Sequence, residues 1–360
     1  MARVFNFSAG PSVLPEVVLK QAADEMLDYK GSGMSVMEMS HRSSTYQKIF
    51  DDTKATLKKV LNIPDNYKIL LLQGGATQEF TNIALNLMAN GKSDYIVTGS
   101  FSGKAAKEAA KFGDVHIAYN GKDNDFTEIP TQDQLDIREG VDYVHLCNNN
   151  TIYGTEWNYV PDTKSAPLVV DMSSDILSRP VDVSKYGVIY AGAQKNMGIA
   201  GLGVVIIRED LVKPHPANIP VLSELDTMLE KDSMYNTPPC WAIYMLGLVV
   251  KWIDEQGGLE VMKEKNEKKA KLLYDYLDQS DFYKPHAKKD ARSNMNVTFT
   301  TPSKELDAEF VKESIAAGMT NLKGHRSVGG IRASIYNAMP IEGVEKLVEF
   351  MKKFEKENTK

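Results

Sequence analysis

The sequence predicts an α/β protein: a large domain with a mainly parallel, seven-stranded sheet flanked by helices, followed by a smaller α/β domain at the C-terminus. Apolar residues alternate between helical and strand-like spacing through most of the chain. Seven short apolar strands precede residue 210, and helical segments separate several of them, which is typical of a parallel sheet. A long helical region from about 239 to 277 then precedes a second, shorter series of strands and helices.

The elements of the large domain follow one another in a clear order. Helices are predicted over 15–29 and 44–63, where apolar residues recur at helical spacing, and Pro15 suits the first turn of the first helix. Further strands and helices alternate after them, at 68–73 (strand), 74–89 (helix), 94–99 (strand), 103–113 (helix), 114–119, 142–147 and 167–173 (strands). Val188–Ile207 then predicts a strand, a glycine-rich turn and a second strand.

The second part of the chain repeats this alternation on a smaller scale. The sequence QGG at 256–258 interrupts the long helical region. Beyond it, the predicted elements are strands at 293–300 and 330–338 and helices at 304–318 and 341–357. We therefore expect a large domain over 16–258 and a small domain over 259–360, joined by the N-terminal segment 1–15.

The composition restricts the class of protein. Hydrophobic residues make up 42% of the chain and charged residues 25%, which is ordinary for a soluble globular enzyme. The net charge of −6 argues against nucleic acid as the main partner, and no apolar run predicts a signal peptide or a membrane span. Cys147 and Cys240 are the only cysteines, so we expect a reducing cytoplasm, and no spacing of His, Cys or carboxylates predicts a metal site.

One lysine differs from the others in its surroundings. Lys195 lies in a glycine-rich turn between two apolar strands, whereas most lysines lie in charged, helix-like segments. A lysine that forms a Schiff base must be neutral, and apolar surroundings lower its pKa. Pyridoxal phosphate also requires a carboxylate for its ring nitrogen and a cradle for its phosphate. Asp171, at the end of an apolar strand, and the glycine loop at 74–77, at the start of a helix, can supply these two groups.

Each of these features has a structural alternative when it is considered alone. Asp171 could cap the next segment, and the loop at 74–77 could be an ordinary tight connection. Two Gly-Lys sequences imitate a nucleotide-binding loop, but the one at 91–92 has Asn86 in place of the first glycine, and the one at 103–104 has the wrong glycine spacing. The presence of lysine, carboxylate and loop in one chain favours the cofactor site.

Arginine is scarce, and its placement predicts a site for anionic substrates. Only eight of the 42 basic residues are arginines. The dipeptide His-Arg occurs twice, at His41–Arg42 and His325–Arg326, and Arg332 follows the second pair closely. The planar guanidinium group binds carboxylate and phosphate through two hydrogen bonds. The pairs therefore predict loops that hold doubly charged ligands, with unrelated surface pairs as the alternative.

Several motifs together resemble the phosphoserine aminotransferases, which are class V members of the fold type I pyridoxal-phosphate enzymes. The motifs extend over essentially the whole chain: FNFSAGPSVLP, MSHRS, QGGAT, DMSSD, AGAQKNMG, YNTPP and GHRSVGGIRASIYNAM. The resemblance implies reversible transamination of 3-phosphohydroxypyruvate with L-glutamate, giving O-phospho-L-serine and 2-oxoglutarate in serine biosynthesis. It also allows 4-phosphohydroxy-L-threonine as a substrate in pyridoxine biosynthesis.

The resemblance also implies a role for individual residues. Lys195 is expected to bind the cofactor covalently and to move the proton, Asp171 to hold the proton of the ring nitrogen, and Phe101 to face the ring where many members have Trp. The other residues expected around the cofactor are Ala76, Thr77 and Gln194 at its phosphate, Thr151 at its ring hydroxyl, and Asn236 and Thr237 from the partner subunit of a homodimer with shared sites. The residues expected to bind the substrate are Ser8, His41, Arg42, His325, Arg326 and, at the α-carboxylate, Arg332.

Three alternative functions remain open at this point. Another class V enzyme, such as an alanine–glyoxylate aminotransferase, acts on small substrates and has no use for two His-Arg pairs. A cysteine desulfurase needs a mobile nucleophilic cysteine, whereas Cys147 and Cys240 lie in apolar elements that suit structural cysteines. A non-catalytic protein that binds phosphorylated metabolites would keep the His-Arg pairs but would not need Lys195 in its turn.

Overall fold

The computed structural model describes residues 3–213 and 218–359. The helices in this part of the chain are α1 (Glu16–Asp24), α2 (Ser44–Val60), α3 (Ala76–Leu87), α4 (Ser100–Ala109), α5 (Leu225–Glu230), α6 (Cys240–Glu255), α7 (Gly258–Gln279), α8 (Lys304–Ala316) and α9 (Ile341–Asn358). The strands are β1 (Phe5–Asn6), β2 (Tyr67–Gly74), β3 (Lys92–Val97), β4 (Asp114–Asn120), β5 (Tyr143–Cys147), β6 (Asn149–Asn150), β7 (Thr155–Glu156), β8 (Leu168–Asp171), β9 (Val188–Gly192), β10 (Gly201–Arg208), β11 (Lys284–Pro285), β12 (Asn296–Thr300), β13 (Met319–Thr320) and β14 (Ile331–Ser334).

The central sheet has seven strands in the order β2-β10-β9-β8-β5-β3-β4, which confirms the predicted mainly parallel sheet. Strand β10 runs antiparallel to both of its neighbours, β2 and β9, and the remaining pairs are parallel. Strands β2 and β9 therefore run in the same direction, and six of the seven strands have their carboxyl ends at one edge of the sheet. Ligands of open α/β sheets bind at this edge.

Strand β2 shows why the sheet carries helices on both faces. Its residues Ile69 and Leu71 belong to an apolar core with residues of α2 and α6. Its residues Leu70 and Leu72 belong to a second apolar core with residues of α3 and α4. Successive side chains of a strand point to opposite faces, so a continuous apolar run is buried only when both faces are covered.

A smaller sheet, in the order β11-β12-β14, forms the centre of the C-terminal part of the chain. Its strands are antiparallel, and they share an apolar core with residues of α7, α8 and α9. The N-terminal segment belongs to this core as well, because Phe7 is fully buried in it and β1 pairs in parallel with β13. The first residues of the chain thus pack against its last third.

The first helix is shorter than the predicted 15–29, since α1 ends at Asp24. The following residues form turns in which the N–H of Tyr29 bonds to Met34 O and the N–H of Gly33 bonds to Asp28 Oδ1. An aspartate that bonds to nearby backbone groups favours a turn over a helix. Among the described residues, no helix combines the length and the apolar character that crossing a membrane requires.

Candidate active site

Lys195 lies in the turn after β9 and lines a cleft of about 860 Å³. Its Nζ donates a hydrogen bond of 2.7 Å to Thr151 Oγ1 and lies 5.2 Å from the centre of the Phe101 ring. Burial lowers the pKa of Lys195, the negative charge of Asp171 opposes this shift, and Arg332 adds to it. More of the amine is therefore neutral at a given pH than in an exposed lysine, as a nucleophilic amine requires.

Asp171 is the last residue of β8 and lines the same cleft. Its Oδ1 accepts hydrogen bonds from the N–H of Ser173 at 2.8 Å and from the hydroxyl of Ser173 at 2.6 Å. That hydroxyl in turn accepts the N–H of Gly192 at 3.0 Å. The other oxygen, Oδ2, lies 3.8 Å from the thiol of Cys147. One oxygen thus fixes the carboxylate, and the other has a weak thiol contact.

The loop between β2 and α3 presents backbone N–H groups to the cleft. Gly74 and Gly75 have φ angles of +108° and +133°, a conformation that other residues rarely adopt. Helix α3 begins at Ala76, so the N–H groups of its first turn form the positive end of its dipole. The N–H of Gln78 bonds to Gly75 O at 2.9 Å, which leaves the N–H groups of Ala76 and Thr77 for a ligand. A Cβ added to Gly192 would lie 2.7 Å from Gln194 Oε1 and 3.3 Å from the nitrogen of Ala76, so a side chain there would displace the Gln194 amide and crowd the start of α3.

Thr151 connects the lysine to an arginine from the second sheet. Arg332 lies on β14, and its Nη1 donates a hydrogen bond of 3.3 Å to Thr151 O. Burial lowers the pKa of Arg332, but an arginine stays charged at neutral pH. A guanidinium from the C-terminal part of the chain is therefore held next to Lys195.

The structure brings most of the predicted cofactor residues together. Six of them line the one cleft: Ala76, Thr77, Phe101, Asp171, Gln194 and Lys195. Thr151 joins them through its bond to Lys195. Ser8, predicted to assist at the carboxylate end, does not line the cleft, and its N–H donates to Asn6 Oδ1.

The two His-Arg pairs, in contrast, do not line this cleft. His41–Arg42 lies in the turn before α2, where Arg42 is exposed. Arg326 is also exposed and lines a separate groove of about 530 Å³ at the start of α8. His325 is closer to the cleft, since burial and then the charges of Arg332 and Arg326 lower its pKa. The residues expected to bind the distal anion are therefore not assembled within this single chain.

Asn236 and Thr237 also lie outside the cleft. They belong to the segment before α6, in which Thr237 is exposed and its carbonyl accepts a hydrogen bond from Gln73 Nε2. Gln73 lies at the end of β2, directly before the glycine loop. The segment is thus attached beside the cleft of its own chain, with Thr237 exposed and Asn236 half-buried.

The N-terminal segment covers Lys195, which the sequence did not predict. A Cβ added to Gly10 would lie 3.0 Å from Cγ of Lys195, and Gly10 has a φ of +135°. The N–H of Ser12 donates to Gln194 O at 3.0 Å, and the hydroxyl of Ser12 bonds to the carbonyl of Lys195. The Gly-Pro dipeptide near the N-terminus was the available signal, since such pairs mark special backbone conformations.

One face of α4 adds positive charge to the cleft, and this was missed as well. Lys104 and Lys107 of α4 line it, at the i, i+3 spacing that places side chains on the same face of a helix, and Lys111, two residues beyond the end of α4, lines it as well. Lys111 is paired with Glu108 at 2.6 Å. The cleft thus has two sources of positive electrostatic potential, the lysine side chains and the N–H groups of the helix. A site for a phosphorylated ligand requires such a potential.

The family model described as Aminotransferase class-V matches residues 4–347, and the chain belongs to this family. Within it, the chain is 52% identical to the phosphoserine aminotransferase of Nitrosomonas europaea, covering 99% of both sequences. It is 50% identical to that of Bacillus cereus strain ATCC 10987, covering 99% of this chain and 100% of the relative.

Solved structures give the same result. The phosphoserine aminotransferase from Bacillus circulans subsp. alkalophilus superposes with a TM-score of 0.97, at 47% identity and 99% coverage of each chain. A phosphoserine aminotransferase from Trichomonas vaginalis with bound PLP superposes with a TM-score of 0.94, at 39% identity, covering 97% of this chain and 100% of that one. The fold is therefore that of the pyridoxal-phosphate-dependent phosphoserine aminotransferases.

Proposed function

We propose that this chain is a pyridoxal-phosphate-dependent aminotransferase that converts 3-phosphohydroxypyruvate and L-glutamate reversibly into O-phospho-L-serine and 2-oxoglutarate, as a step of serine biosynthesis. One observation carries the proposal: a single cleft contains a lysine of lowered pKa, a fixed carboxylate and an open helix N-terminus. The full-length likeness to phosphoserine aminotransferases supports the choice of substrates.

The residues of the cleft fit pyridoxal phosphate. The N–H groups of Ala76 and Thr77 stand at the start of α3, and a side chain at Gly192 would crowd the nitrogen of Ala76. Asp171 keeps one oxygen with a weak thiol contact, which suits a ring N–H. Phe101 offers an aromatic face beside Lys195. Lysine, carboxylate, anion cradle and aromatic face are the groups that this cofactor requires.

When bound, pyridoxal phosphate supplies an aldehyde that condenses with amines and a ring that withdraws electrons. The chain's own residues then do the following. Lys195 Nζ would hold the cofactor covalently and would carry a proton from and to the substrate carbon, a task that its lowered pKa supports. Thr151 accepts a hydrogen bond from Nζ and so orients the amine. Asp171 holds the proton of the ring nitrogen, which keeps the ring positively charged.

Substrate recognition rests on the arginines. Arg332 binds the α-carboxylate that both substrates share, because Thr151 holds its guanidinium beside Lys195. His41–Arg42 and His325–Arg326 receive the distal phosphate or carboxylate. His325 has a lowered pKa and is neutral at neutral pH, so it can take up a proton when a phosphate dianion arrives.

The functional unit is a homodimer with shared sites, located in the cytoplasm. Exposure supports this: Met34 and Met37, close to His41–Arg42, and Tyr235, next to Asn236, are large apolar residues that are exposed by 42%, 56% and 47%. We place these residues in a surface that a partner covers, because contiguous exposed apolar patches commonly mark such surfaces. The same contact would bring Asn236 and Thr237 to the partner's cofactor phosphate. We also propose the division into a large domain over 16–258 and a small domain over 259–360.

Absorbance spectroscopy tests this function most directly. Purified protein mixed with pyridoxal phosphate should develop the absorbance band of a protonated Schiff base, which borohydride removes, and peptide mass spectrometry should find the reduced adduct on Lys195. With glutamate and 3-phosphohydroxypyruvate the protein should form 2-oxoglutarate. The absence of an adduct, or an adduct on another lysine, contradicts the cofactor assignment. Turnover with alanine and glyoxylate but not with phosphoserine contradicts the substrates alone.

A further inference from the structure

Glu79 is a buried carboxyl group directly behind the glycine loop. It lies in the first turn of α3 and has no exposed surface. A Cβ added to Gly203 of β10 would lie 3.1 Å from Glu79 Oε1 and 3.5 Å from the Cα of Gly75. Glu79 Oε1 and the Cα of Gly75 therefore both lie close to Gly203 of β10. The absence of side chains at Gly75 and Gly203 leaves room for the carboxyl group.

The surroundings of Glu79 suit a neutral carboxyl group. Its Oε2 accepts a hydrogen bond of 3.1 Å from Asn82 Nδ2, and its Oε1 has no hydrogen-bond partner in the described part of the chain. Burial raises the pKa of Glu79 to about 7, and the bond from Asn82 only partly opposes this shift. A carboxylate with one unpartnered oxygen in such a site is much less favourable than a neutral acid.

A short chain of side-chain hydrogen bonds connects Glu79 to the cleft. Asn82 donates to Glu79, and Asn82 Oδ1 accepts a hydrogen bond of 3.2 Å from Gln78 Nε2. Gln78 lines the cleft, and its Cβ lies 2.9 Å from the position of a Cβ added to Gly74. The carboxyl group is therefore linked to the cleft through Asn82 and Gln78. It also lies near Gly203 of β10, as does the Cα of Gly75.

We propose that Glu79 is a positioning residue for the glycine loop: its neutral carboxyl group fixes the first turn of α3, and its ionisation weakens the hold of the loop on a phosphate dianion. The inference rests on the proposed function, because the dianion is the phosphate of the cofactor. An ionised Glu79 would place a negative charge in the same helix turn whose positive end attracts the phosphate. The two charges would compete across a buried, weakly screened space.

The other groups around Glu79 do not supply a compensating charge. From β9, the phenol of Tyr190 faces it, and the phenol's own pKa is raised by burial far above neutral pH. The hydroxyl of Tyr190 bonds to Nε2 of His145 at 2.8 Å, and burial lowers the pKa of His145 to about 3, so this imidazole is neutral too. From β10 the neighbour is Gly203, and from α3 itself it is Asn82.

The affinity of the cofactor-free protein for pyridoxal phosphate tests the proposal. Equilibrium dialysis would compare the wild type with Glu79→Gln, which keeps the shape and cannot ionise, between about pH 6 and about pH 8, the range around the folded pKa. The wild type should lose affinity relative to the variant by about fivefold over this range, the change that a coupling of one pKa unit gives around a folded pKa of about 7. The phosphate's own titration affects both proteins and cancels in the ratio.

Glu108→Gln is the matched control. Glu108 lines the same cleft, but its hydrogen bonds to Lys111 and Thr81 lower its pKa, so it is ionised throughout the range. This variant should shift the affinity by the same factor at every pH. A wild-type to Glu79→Gln ratio that stays constant with pH overturns the proposal and leaves the proposed function intact. A wild type that binds no pyridoxal phosphate overturns the proposed function as well.

A second measurement follows the carboxyl proton directly. Burial raises the pKa of both Glu79 and Asp175 to about 7, so the infrared absorbance of protonated carboxyl groups in the cofactor-free protein should decrease as the pH rises through about 7, and the part of this loss that is missing in Glu79→Gln belongs to Glu79. Binding of pyridoxal phosphate should move this loss to higher pH, since the coupling between proton and ligand is reciprocal. A protonated-carboxyl signal that pyridoxal phosphate leaves unmoved contradicts the proposal.

Discussion

The two ends of the candidate active site are built very differently. At the cofactor end, Lys195 and Asp171 lie among buried neighbours, with hydrogen bonds of 2.6–2.8 Å to Thr151 and Ser173. At the substrate end, Arg42 and Arg326 are exposed and lie outside the cleft. A single chain therefore forms the part of the site that holds the cofactor, and the part that selects the distal anion has still to be assembled by a partner, by the substrate or by both.

This difference assigns different tasks to the two ends. Preformed groups stabilise developing charge without reorganisation during the reaction, so the chemical step belongs to the buried end. Exposed arginine side chains lose conformational entropy when they bind a ligand, so they contribute more to the choice of substrate than to the reaction rate. Changes at the buried end should therefore reduce kcat strongly, whereas changes at the exposed end should mainly raise KM for the phosphorylated substrate.

The largest effect is expected at the anchor. Lys195→Ala should abolish transamination, and the protein should stay folded because the turn tolerates a small residue. Lys195→Arg should be equally inactive, because it restores a positive charge but no amine that can attack an aldehyde. Circular dichroism checks the fold, and a coupled assay for 2-oxoglutarate measures turnover. Near-normal turnover of either variant, with no amine added, would show that the chemistry does not depend on Lys195.

The second-largest effect is expected at Asp171. Asp171→Asn should still form the Schiff base but should lose about 10²–10³ in kcat, the range known for removal of one preorganised electrostatic contact. Single-turnover absorbance measurements separate formation of the Schiff base from the loss of the substrate's α-proton. A decrease smaller than about tenfold would mean that Asp171 acts as a structural cap and that another group faces the ring nitrogen.

The arginines should show intermediate effects that differ between the substrates. Arg42→Ala and Arg326→Ala should each lower kcat/KM for phosphoserine by about ten- to a hundredfold, because a charge-assisted hydrogen bond contributes roughly 1.5–3 kcal/mol. Glutamate should be affected less, since its side chain carries one charge where the phosphate carries about two. Arg332→Ala should affect both substrates equally. If phosphoserine and glutamate respond alike to all three changes, the exposed arginines do not select the phosphate.

The smallest effect is expected in mixtures of two inactive variants. If Asn236 and Thr237 complete the partner's site, chains with Lys195→Ala and chains with both Asn236→Ala and Thr237→Ala should form hybrid dimers with one intact site each. Random exchange would restore about one quarter of wild-type activity, because half of the dimers are hybrids. The unmixed variants are the controls. No recovery, despite hybrids detected by native mass spectrometry, would mean that each chain forms its site alone.

Much of the cofactor end of the site could be predicted from the sequence, because its residues lie where apolar strands end. Lys195, Asp171 and the glycine loop each follow an apolar strand, and parallel strands bring their carboxyl ends to one edge. The positions of the strands were predicted for the same reason, since an apolar run bounded by turn residues indicates a buried strand.

The remaining features depend on distant contacts that leave no local pattern. Gly10 lies against Lys195 only because β1 pairs with β13, far along the chain. Glu79 looks like an ordinary polar position in the first turn of a helix, and only the packing against Gly203 shows that it is buried. The early end of α1 at Asp24 likewise depends on competing turn bonds that helical periodicity does not reveal.

The pairing of β1 with β13 affects the order in which the protein can fold during its synthesis. The chain is synthesised from its N-terminus, but strand β1 (Phe5–Asn6) can pair only after Met319–Thr320 has been made. The carbonyl of Ala9 likewise accepts its hydrogen bond from the hydroxyl of Tyr336. The strands of the large sheet have all left the ribosome long before these partners exist. A nascent chain, or one truncated before β13, can therefore form the large sheet before the N-terminal segment has its partners, and these contacts form only after residues 319–336 have been made.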